Sequence, residues 1–446
     1  MASEDKSPRQ RITRRRITRR QFLTSAGVLT ACGIGIAASV SGRSWWEHIP
    51  DTPDEFPLPE PPNPWSIEAR YYASLTNEGS LECATCHSQV EESLPVSYCH
   101  IPHTGTYVRC NLCPHRCILA DGERGTCRVR ENRGGRLYSM VYGNPCAINI
   151  DPIEKKPFFH YLPTATALSL ATAGCNLRCL YCQNWTISQV PPEETQNEDY
   201  TPEEIARYAH MLNIPVIAYT YSEPIVFYEY VLACSQAAKE AGVRNVVVSA
   251  GYIETDPLKE LCQSVDAIKI DLKGYDDEFY REVCGGELEP VLQTLKTIFD
   301  QGVHLEIVNL VVPTLNDDLE QLRSLAHWVT QELSPDVPLH FSRFQPQYKL
   351  MNLPPTPVET LEKAYDIALE EGVRFAYIGN VPGHRGNNTY CPNCGKPLIT
   401  RTGFSVLEYH LIEGACEYCG ENIPGIWWSG EPEGQPIEIP QGPPDT

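Results

Sequence analysis

Residues 172–185 read Thr172-Ala173-Gly174-Cys175-Asn176-Leu177-Arg178-Cys179-Leu180-Tyr181-Cys182-Gln183-Asn184-Trp185. The three cysteines follow Cys-x3-Cys-x2-Cys, directly after an apolar, strand-like run at 167–173. So short a loop makes three thiolates converge. Three thiolates hold three irons of a [4Fe–4S] cluster and leave the fourth iron open. An open iron can bind and activate a small molecule, whereas a cluster with four cysteine ligands mostly moves electrons. A zinc knuckle with a borrowed fourth ligand, or three buried thiols, is the plainer reading of the same residues.

Working outward, short apolar runs alternate with helical patterns between about 165 and 380. Strands are expected at 167–173, 215–220, 244–250, 267–272, 303–312, 339–344 and 374–378. Helices are expected between them, such as 202–212, 225–241, 318–333 and 358–371. Gly242, Gly302 and Gly372 stand where helix C-caps belong. Repeated β–α alternation predicts an α/β protein whose parallel sheet curls into a full or partial barrel. In such barrels the chemistry sits at the C-terminal strand ends, where the cysteine loop falls.

The chain has 446 residues, 42% hydrophobic, enough for a large core and about three domains. Its net charge is −21, which argues against a general nucleic-acid binder. The first 20 residues oppose that trend, with eight Lys or Arg against two acids. No apolar run reaches the roughly 18 residues of a membrane span, so a multi-span membrane protein is excluded. Segment 1–42 resembles a twin-arginine export signal at Thr18-Arg19-Arg20-Gln21-Phe22-Leu23. It predicts recognition by the export machinery and a periplasmic or membrane-associated location, with the cytoplasm as the alternative. Leu29-Thr30-Ala31-Cys32 is lipobox-like. A Pro-rich linker (43–75), a Cys-rich region (76–150), a core (151–380), a four-cysteine module (381–430) and an acidic Pro-rich tail (431–446) follow.

Fourteen of the 19 cysteines fall in three dense sets, at 83–127, 175–182 and 391–419. Cys391-Pro392-Asn393-Cys394-Gly395 and Cys416-Glu417-Tyr418-Cys419-Gly420 are paired knuckles. They predict a tetrahedral four-thiolate site of the zinc-ribbon or rubredoxin kind, holding zinc or iron. Cys110, Cys113, Cys117 and Cys127 can bind zinc or a second cluster, and their spacing does not choose. Cys83 and Cys86, with Cys99 and a nearby His, suggest zinc; Cys83-Ala84-Thr85-Cys86-His87 also matches the c-type haem pattern. Cys146, Cys234, Cys262 and Cys284 read as buried apolar thiols, with a minor reactive reading for Cys284.

The cluster loop, with Tyr181 before its last cysteine, resembles the radical S-adenosylmethionine (SAM) superfamily. That resemblance implies a partial (β/α)6 TIM-like barrel, a [4Fe–4S] cluster on Cys175, Cys179 and Cys182, and SAM on the open iron. Tyr219-Thr220-Tyr221-Ser222-Glu223-Pro224 resembles the superfamily's Gly-Gly-Glu-Pro motif, with Tyr221-Ser222 in place of the glycines. Tyr181, Ser222, Glu223, Ser249, Asp271, Lys273 and Asn309 are thereby the expected cofactor contacts, and His340 and Arg343 face substrate. Lys269-Ile270-Asp271-Leu272-Lys273 is similar to the Asp-Leu-Lys of pyruvate formate-lyase activating enzymes. An ion pair at the barrel rim is its plainer reading.

Residues from about 105 to 428 resemble the AmmeMemoRadiSam-system radical SAM enzymes. The likeness rests on Cys110-Asn111-Leu112-Cys113-Pro114-His115-Arg116-Cys117, the run 149–157, Gly379-Asn380-Val381-Pro382-Gly383-His384 and the C-terminal knuckles. It implies reductive SAM cleavage, hydrogen abstraction from a substrate that is another protein by analogy to glycyl-radical activation, and a flavodoxin- or ferredoxin-class one-electron donor. Memo-like or AMMECR-like proteins are associated partners. The competing readings are a non-catalytic iron–sulfur electron-transfer protein and a structural metal-binding protein.

Overall fold

The computed structural model describes residues 65–76 and 106–428. Residues 1–42, Cys83, Cys86 and the acidic tail lie outside the described residues.

The N-terminal part is a set of short strands: β1 (Ile67–Glu68), β2 (Tyr72–Thr76), β3 (Thr106–Cys110), β4 (Ile118–Leu119), β5 (Arg130–Arg133) and β6 (Arg136–Ser139). They pair antiparallel as two three-stranded sheets, β1-β6-β5 and β2-β3-β4. The cysteines at 110–127 lie on the strands and turns that join these sheets.

The central sheet has eight strands: β7 (Ala147–Pro152), β8 (Thr166–Ala171), β9 (Val216–Tyr219), β10 (Arg244–Ser249), β11 (Ala267–Asp271), β12 (His304–Val311), β13 (Leu339–Arg343) and β14 (Ala376–Gly379). Helices α1 (Pro202–Met211), α2 (Tyr228–Glu240), α3 (Thr255–Ser264), α4 (Leu288–Asp300), α5 (Leu319–Glu332) and α6 (Val358–Glu370) connect them. Strands β8 to β14 pair in parallel in chain order. Both faces of such a sheet are covered, so β9 is buried along its whole length. Local signals set the helix ends. Thr201 and Glu204 form a capping box at α1, with Pro202 in its first turn. Gly242, Gly302 and Gly372 close helices at φ of 73°, 69° and 92°.

Each of the seven expected strands is present. Of the full or partial barrel expected, the partial form is present, and only its last strand departs from the parallel order. The ladder is open, running from β14 to β7. Its last strand, β7, is antiparallel to β8 over six residue pairs, from Ala147↔Ala171 to Pro152↔Thr166. The core is therefore a partial, mixed sheet, and β7 covers an edge that would otherwise expose unpaired backbone.

The C-terminal module consists of β15 (Thr389–Tyr390), β16 (Pro397–Thr402), β17 (Ser405–Tyr409), β18 (Leu411–Ile412) and β19 (Ala415–Cys416). Leu398, Ile399, Cys391 and Cys416 pack on Phe159, Phe375 and Tyr377. Arg401, buried, donates from Nη2 to the Phe159 carbonyl at 3.0 Å. Phe375 immediately precedes β14, so the module plugs the N-terminal strand ends. A strand of five or six residues, about 17–20 Å, separates it from the C-terminal rim.

Candidate functional site

The loop after β8 carries Cys175, Cys179 and Cys182 at the C-terminal rim. Gly174 enters it at φ 93°, where any side chain would be strained. Backbone bonds pin the loop on both sides: Gly174 N–H to Ile187 O at 2.9 Å, Arg178 N–H to Cys284 O at 2.7 Å, and Leu180 N–H to Val283 O at 3.0 Å. The Leu177 N–H points at Cys175 Sγ (3.3 Å), and Ser188 Oγ lies 3.2 Å from Cys182 Sγ. Burial pushes the thiols of Cys175 and Cys182 up, while the Cys284 contact and burial push Cys179 up. Loading a metal group here therefore releases protons.

The stretch after β9 settles the question raised by its missing glycines. Tyr221 sits at φ 64°, in the left-handed region that glycine occupies freely. Its backbone thus takes the path a glycine would, and the Asn184 side-chain amide holds its carbonyl at 2.7 Å. The Tyr221 ring is anchored at the other end, where its hydroxyl donates to Asp151 and Lys156 Nζ lies 4.5 Å from the ring centroid. Ser222 Oγ is buried with no partner among the described residues.

Glu223 is 2% exposed and already occupied. Its carboxylate accepts from Ser249 Oγ at 2.7 Å, Ala250 N–H at 2.9 Å and Ile225 N–H at 3.2 Å. Burial raises its pKa and these donors pull it back. Glu223 and Ser249 thus tie the end of β9 to the end of β10.

Asp271 pairs with Lys269 and, at 3.6 Å, with Lys273. Burial opposes charge on Lys273, but its neighbours Cys179 and Asp271 hold its pKa well above the ordinary lysine value. The surplus cation suits an anionic group at Cys179. Asn309 donates to Leu272 O at 2.8 Å, and its Oδ1 is buried without a partner among the described residues. His340 and Arg343 are not free: His340 Nε2 lies 2.8 Å from Glu306 Oε2, and Arg343 Nε donates to Thr356 O at 2.8 Å. Tyr181, buried, lies with its hydroxyl 3.5 Å from Cys284 Sγ.

The rim therefore gathers a three-cysteine loop, a glycine-like turn, a lysine beside Cys179 and two unpartnered acceptors, Ser222 Oγ and Asn309 Oδ1. This donor set fits an iron–sulfur cluster with a polar ligand beside it. Sequence reading gave Cys284 only a minor role. It ends a short π-helix (Tyr280–Cys284) about 100 residues from the cluster loop, with no local signal to join them, yet its carbonyl accepts from Arg178 N–H and its Sγ lies 3.5 Å from the Tyr181 hydroxyl.

At the opposite end, Cys391 Sγ lies 3.6 Å from Cys419 Sγ, and Cys394 Sγ lies 3.8 Å from Cys416 Sγ. All four sulfurs lie within 4.8 Å of one another. A tetrahedron with metal–sulfur bonds of about 2.3 Å has edges of about 3.8 Å, so this set fits one metal ion. Gly395 and Gly420, at φ 69° and 78°, make the turns.

The radical SAM superfamily profile matches residues 169–326. An uncharacterized protein of Methanocaldococcus jannaschii is 52% identical over 318 residues, 71% of this chain and 95% of that protein. The pyruvate formate-lyase 1-activating enzyme of Escherichia coli is 28% identical over 219 residues, 46% of this chain and 89% of that enzyme. A solved domain of a pyruvate-formate lyase-activating enzyme from Bacteroides vulgatus covers 36% of this chain and 98% of its own, at 16% identity and a TM-score of 0.32, too low to argue from. The chain belongs to the radical SAM superfamily. It is an enzyme that uses SAM and an iron–sulfur-type cofactor, related distantly to pyruvate formate-lyase-activating proteins.

These relatives correct the expected export. The likeness to the activating enzymes counts against the expected periplasmic or membrane-associated location. The segment on which the export reading rested lies outside the described residues. Among the described residues, no helix is long and apolar enough to cross a membrane.

Proposed function

We propose that this chain cleaves SAM reductively and abstracts a hydrogen atom from a substrate, as a member of the AmmeMemoRadiSam-system branch. Cys175, Cys179 and Cys182 would hold the [4Fe–4S] cluster. When bound, the cluster and SAM supply a carbon-centred radical. The chain's own residues do the rest. The Tyr221-Ser222 turn offers its backbone and Ser222 Oγ to the nucleotide. Glu223 and Ser249 keep that turn in register. Asp271 and Lys273 balance charge beside Cys179, Asn309 Oδ1 accepts a hydrogen bond, and Tyr181 packs the loop. The likeness to activating enzymes makes a protein the preferred substrate, with a flavodoxin- or ferredoxin-class donor and Memo-like or AMMECR-like proteins as partners. The division into regions 76–150, 151–380 and 381–430, and zinc in the last of these, belong to the same proposal.

The observation that carries this reading is the glycine-like Tyr221 turn opposite the three-cysteine loop. An electron carrier has no use for it. The test is anaerobic reconstitution, reduction with dithionite, addition of SAM and chromatography for 5′-deoxyadenosine. Product above a Cys182→Ala control supports the reading, and none refutes it.

One observation favours the second reading, a non-catalytic iron–sulfur electron carrier. Cys284 packs against the cluster loop, its Sγ 3.5 Å from the Tyr181 hydroxyl and its carbonyl accepting from Arg178 N–H, so a fourth sulfur stands beside the three. Cys284→Ala separates the two. With an open iron, the SAM-induced change in the cluster's electron paramagnetic resonance is the same in both proteins. With a closed cluster, it appears only in the variant.

A further inference from the structure

A second set of four cysteines lies beside the cluster loop. Cys110, Cys113, Cys117 and Cys127, with Arg130 and Asn176, line one cavity. Two of these side chains carry buried polar atoms without partners among the described residues, Arg130 Nε and Asn176 Oδ1. Arg130 is 2% exposed and Asn176 1%. Arg130 spends its other nitrogens on buried Glu229, which leaves its Nε–H unpaired among the described residues. Gly125 brings backbone against sulfur: a Cβ there would lie 3.6 Å from Cys117 Sγ and 3.7 Å from Cys127 Sγ. Thr126 Oγ1 lies 3.6 Å from Cys117 Sγ.

The spread of the sulfurs separates the two metal chemistries that their spacing left open. Among the described residues only the C-terminal four gather their sulfurs within 4.8 Å, the span of a single tetrahedral ion. Cys110, Cys113, Cys117 and Cys127 do not belong to that group, and neither do Cys175, Cys179 and Cys182. Thiolates on the separate irons of a cluster stand further apart than thiolates on one ion, because sulfide and iron lie between them.

The two cysteine loops also touch. His115, two residues after Cys113, places Nε2 2.6 Å from the carbonyl of Asn176, the residue after Cys175. On the other side, a Cβ on Gly174 would lie 2.6 Å from the Cys127 carbonyl oxygen. One hydrogen bond and a few covalent bonds thus join the two sets.

We propose that Cys110, Cys113, Cys117 and Cys127 hold a second [4Fe–4S] cluster that relays electrons to the cluster at Cys175, Cys179 and Cys182. A reduced ferredoxin- or flavodoxin-class protein gives up one electron and the second cluster goes from the 2+ to the 1+ state. It returns to 2+ as the same electron reduces the first cluster from 2+ to 1+. The relay rests on the radical SAM reading, but the second cluster does not.

The test is metal and acid-labile sulfide analysis of the full chain, purified anaerobically, with Cys175, Cys179 and Cys182 all replaced by Ala. The expected result is about four sulfides retained, with about four irons, and a resonance signal that SAM does not move. Absence of sulfide with zinc retained overturns the proposal. Should that variant fail to fold, Cys110→Ala/Cys113→Ala reads the same question from the other side. It must lose about four sulfides and keep the SAM-sensitive signal; unchanged sulfide overturns the proposal. In this second variant, reduction by ferredoxin is lost while reduction by dithionite persists. Sulfide in the first variant, with no SAM response in the wild-type protein, refutes the radical SAM reading alone.

Discussion

Replacing Glu223 tests whether it holds the rim together or reaches out to the nucleotide. Its carboxylate takes three donors from two strand ends, at 2.7, 2.9 and 3.2 Å. Hydrogen bonds to a charged group are each worth about 1.5–3 kcal/mol, and the longest here contributes least. Glu223→Ala removes all three and strands the buried Ala250 and Ile225 N–H groups, a loss of about 3–6 kcal/mol. Glu223→Gln keeps one acceptor oxygen for Ser249 and Ile225 but turns an amide N–H toward the Ala250 N–H, which costs about 1–3 kcal/mol. The assay is urea unfolding of the cluster-loaded protein under anaerobic conditions, followed by circular dichroism. The same samples are then titrated with SAM by electron paramagnetic resonance. Stability is expected to fall in the order wild type, Gln, Ala, with SAM affinity falling in parallel. If Glu223→Ala abolishes SAM binding yet shifts stability by less than about 1 kcal/mol, the carboxylate belongs to the ligand and not to the scaffold.

Tyr221→Gly relieves about 1–2 kcal/mol of left-handed strain and keeps the turn, whereas Tyr221→Val puts a β-branched residue where that backbone is least tolerated. SAM cleavage should therefore survive far better in the Gly variant than in the Val variant, measured as 5′-deoxyadenosine per cluster. Cys391→Ser should release one metal ion and lower the thermal midpoint. SAM cleavage at low temperature should persist, because that module sits at the opposite strand ends. Acid should destabilise the fold from pH 6.5 downward. Burial holds His160 neutral, with its pKa lowered to about 4. A depressed histidine stabilises fully above its unfolded value near 6.5 and loses that contribution as pH falls toward 4, about 3 kcal/mol in all. Two histidines hold buried Glu306 well below the usual carboxylate range, so its contribution fades only at still lower pH. Urea midpoints at pH 7, 5 and 4 check this, and a flat profile refutes it.

Much of the barrel was legible because its signals are local. Seven apolar runs, the Thr201 and Glu204 capping pair and glycines just past the helix ends each act within a few residues. The antiparallel β7 was not legible, since its polar-faced run 147–152 shows its partner only across the sheet. The paired knuckles at 391–419 were legible from spacing alone, as their gathered sulfurs show. The occupied state of Glu223 was not, because Ser249 and Ala250 lie 26 and 27 residues away. Tyr221 in place of glycine looked like a departure in the text, and only its φ shows that the turn is kept.

Local spacing, then, determined which thiols belong together and which strand end they crown, because metal ligation in a short loop depends on neighbours in the chain. Tertiary structure alone decided that the C-terminal four sulfurs gather around one point, that Cys284 lies against the cluster loop, and that His115 and Cys127 press on that loop. Those are contacts across roughly 50 to 100 residues, set by how sheets and loops pack, and no local pattern encodes them.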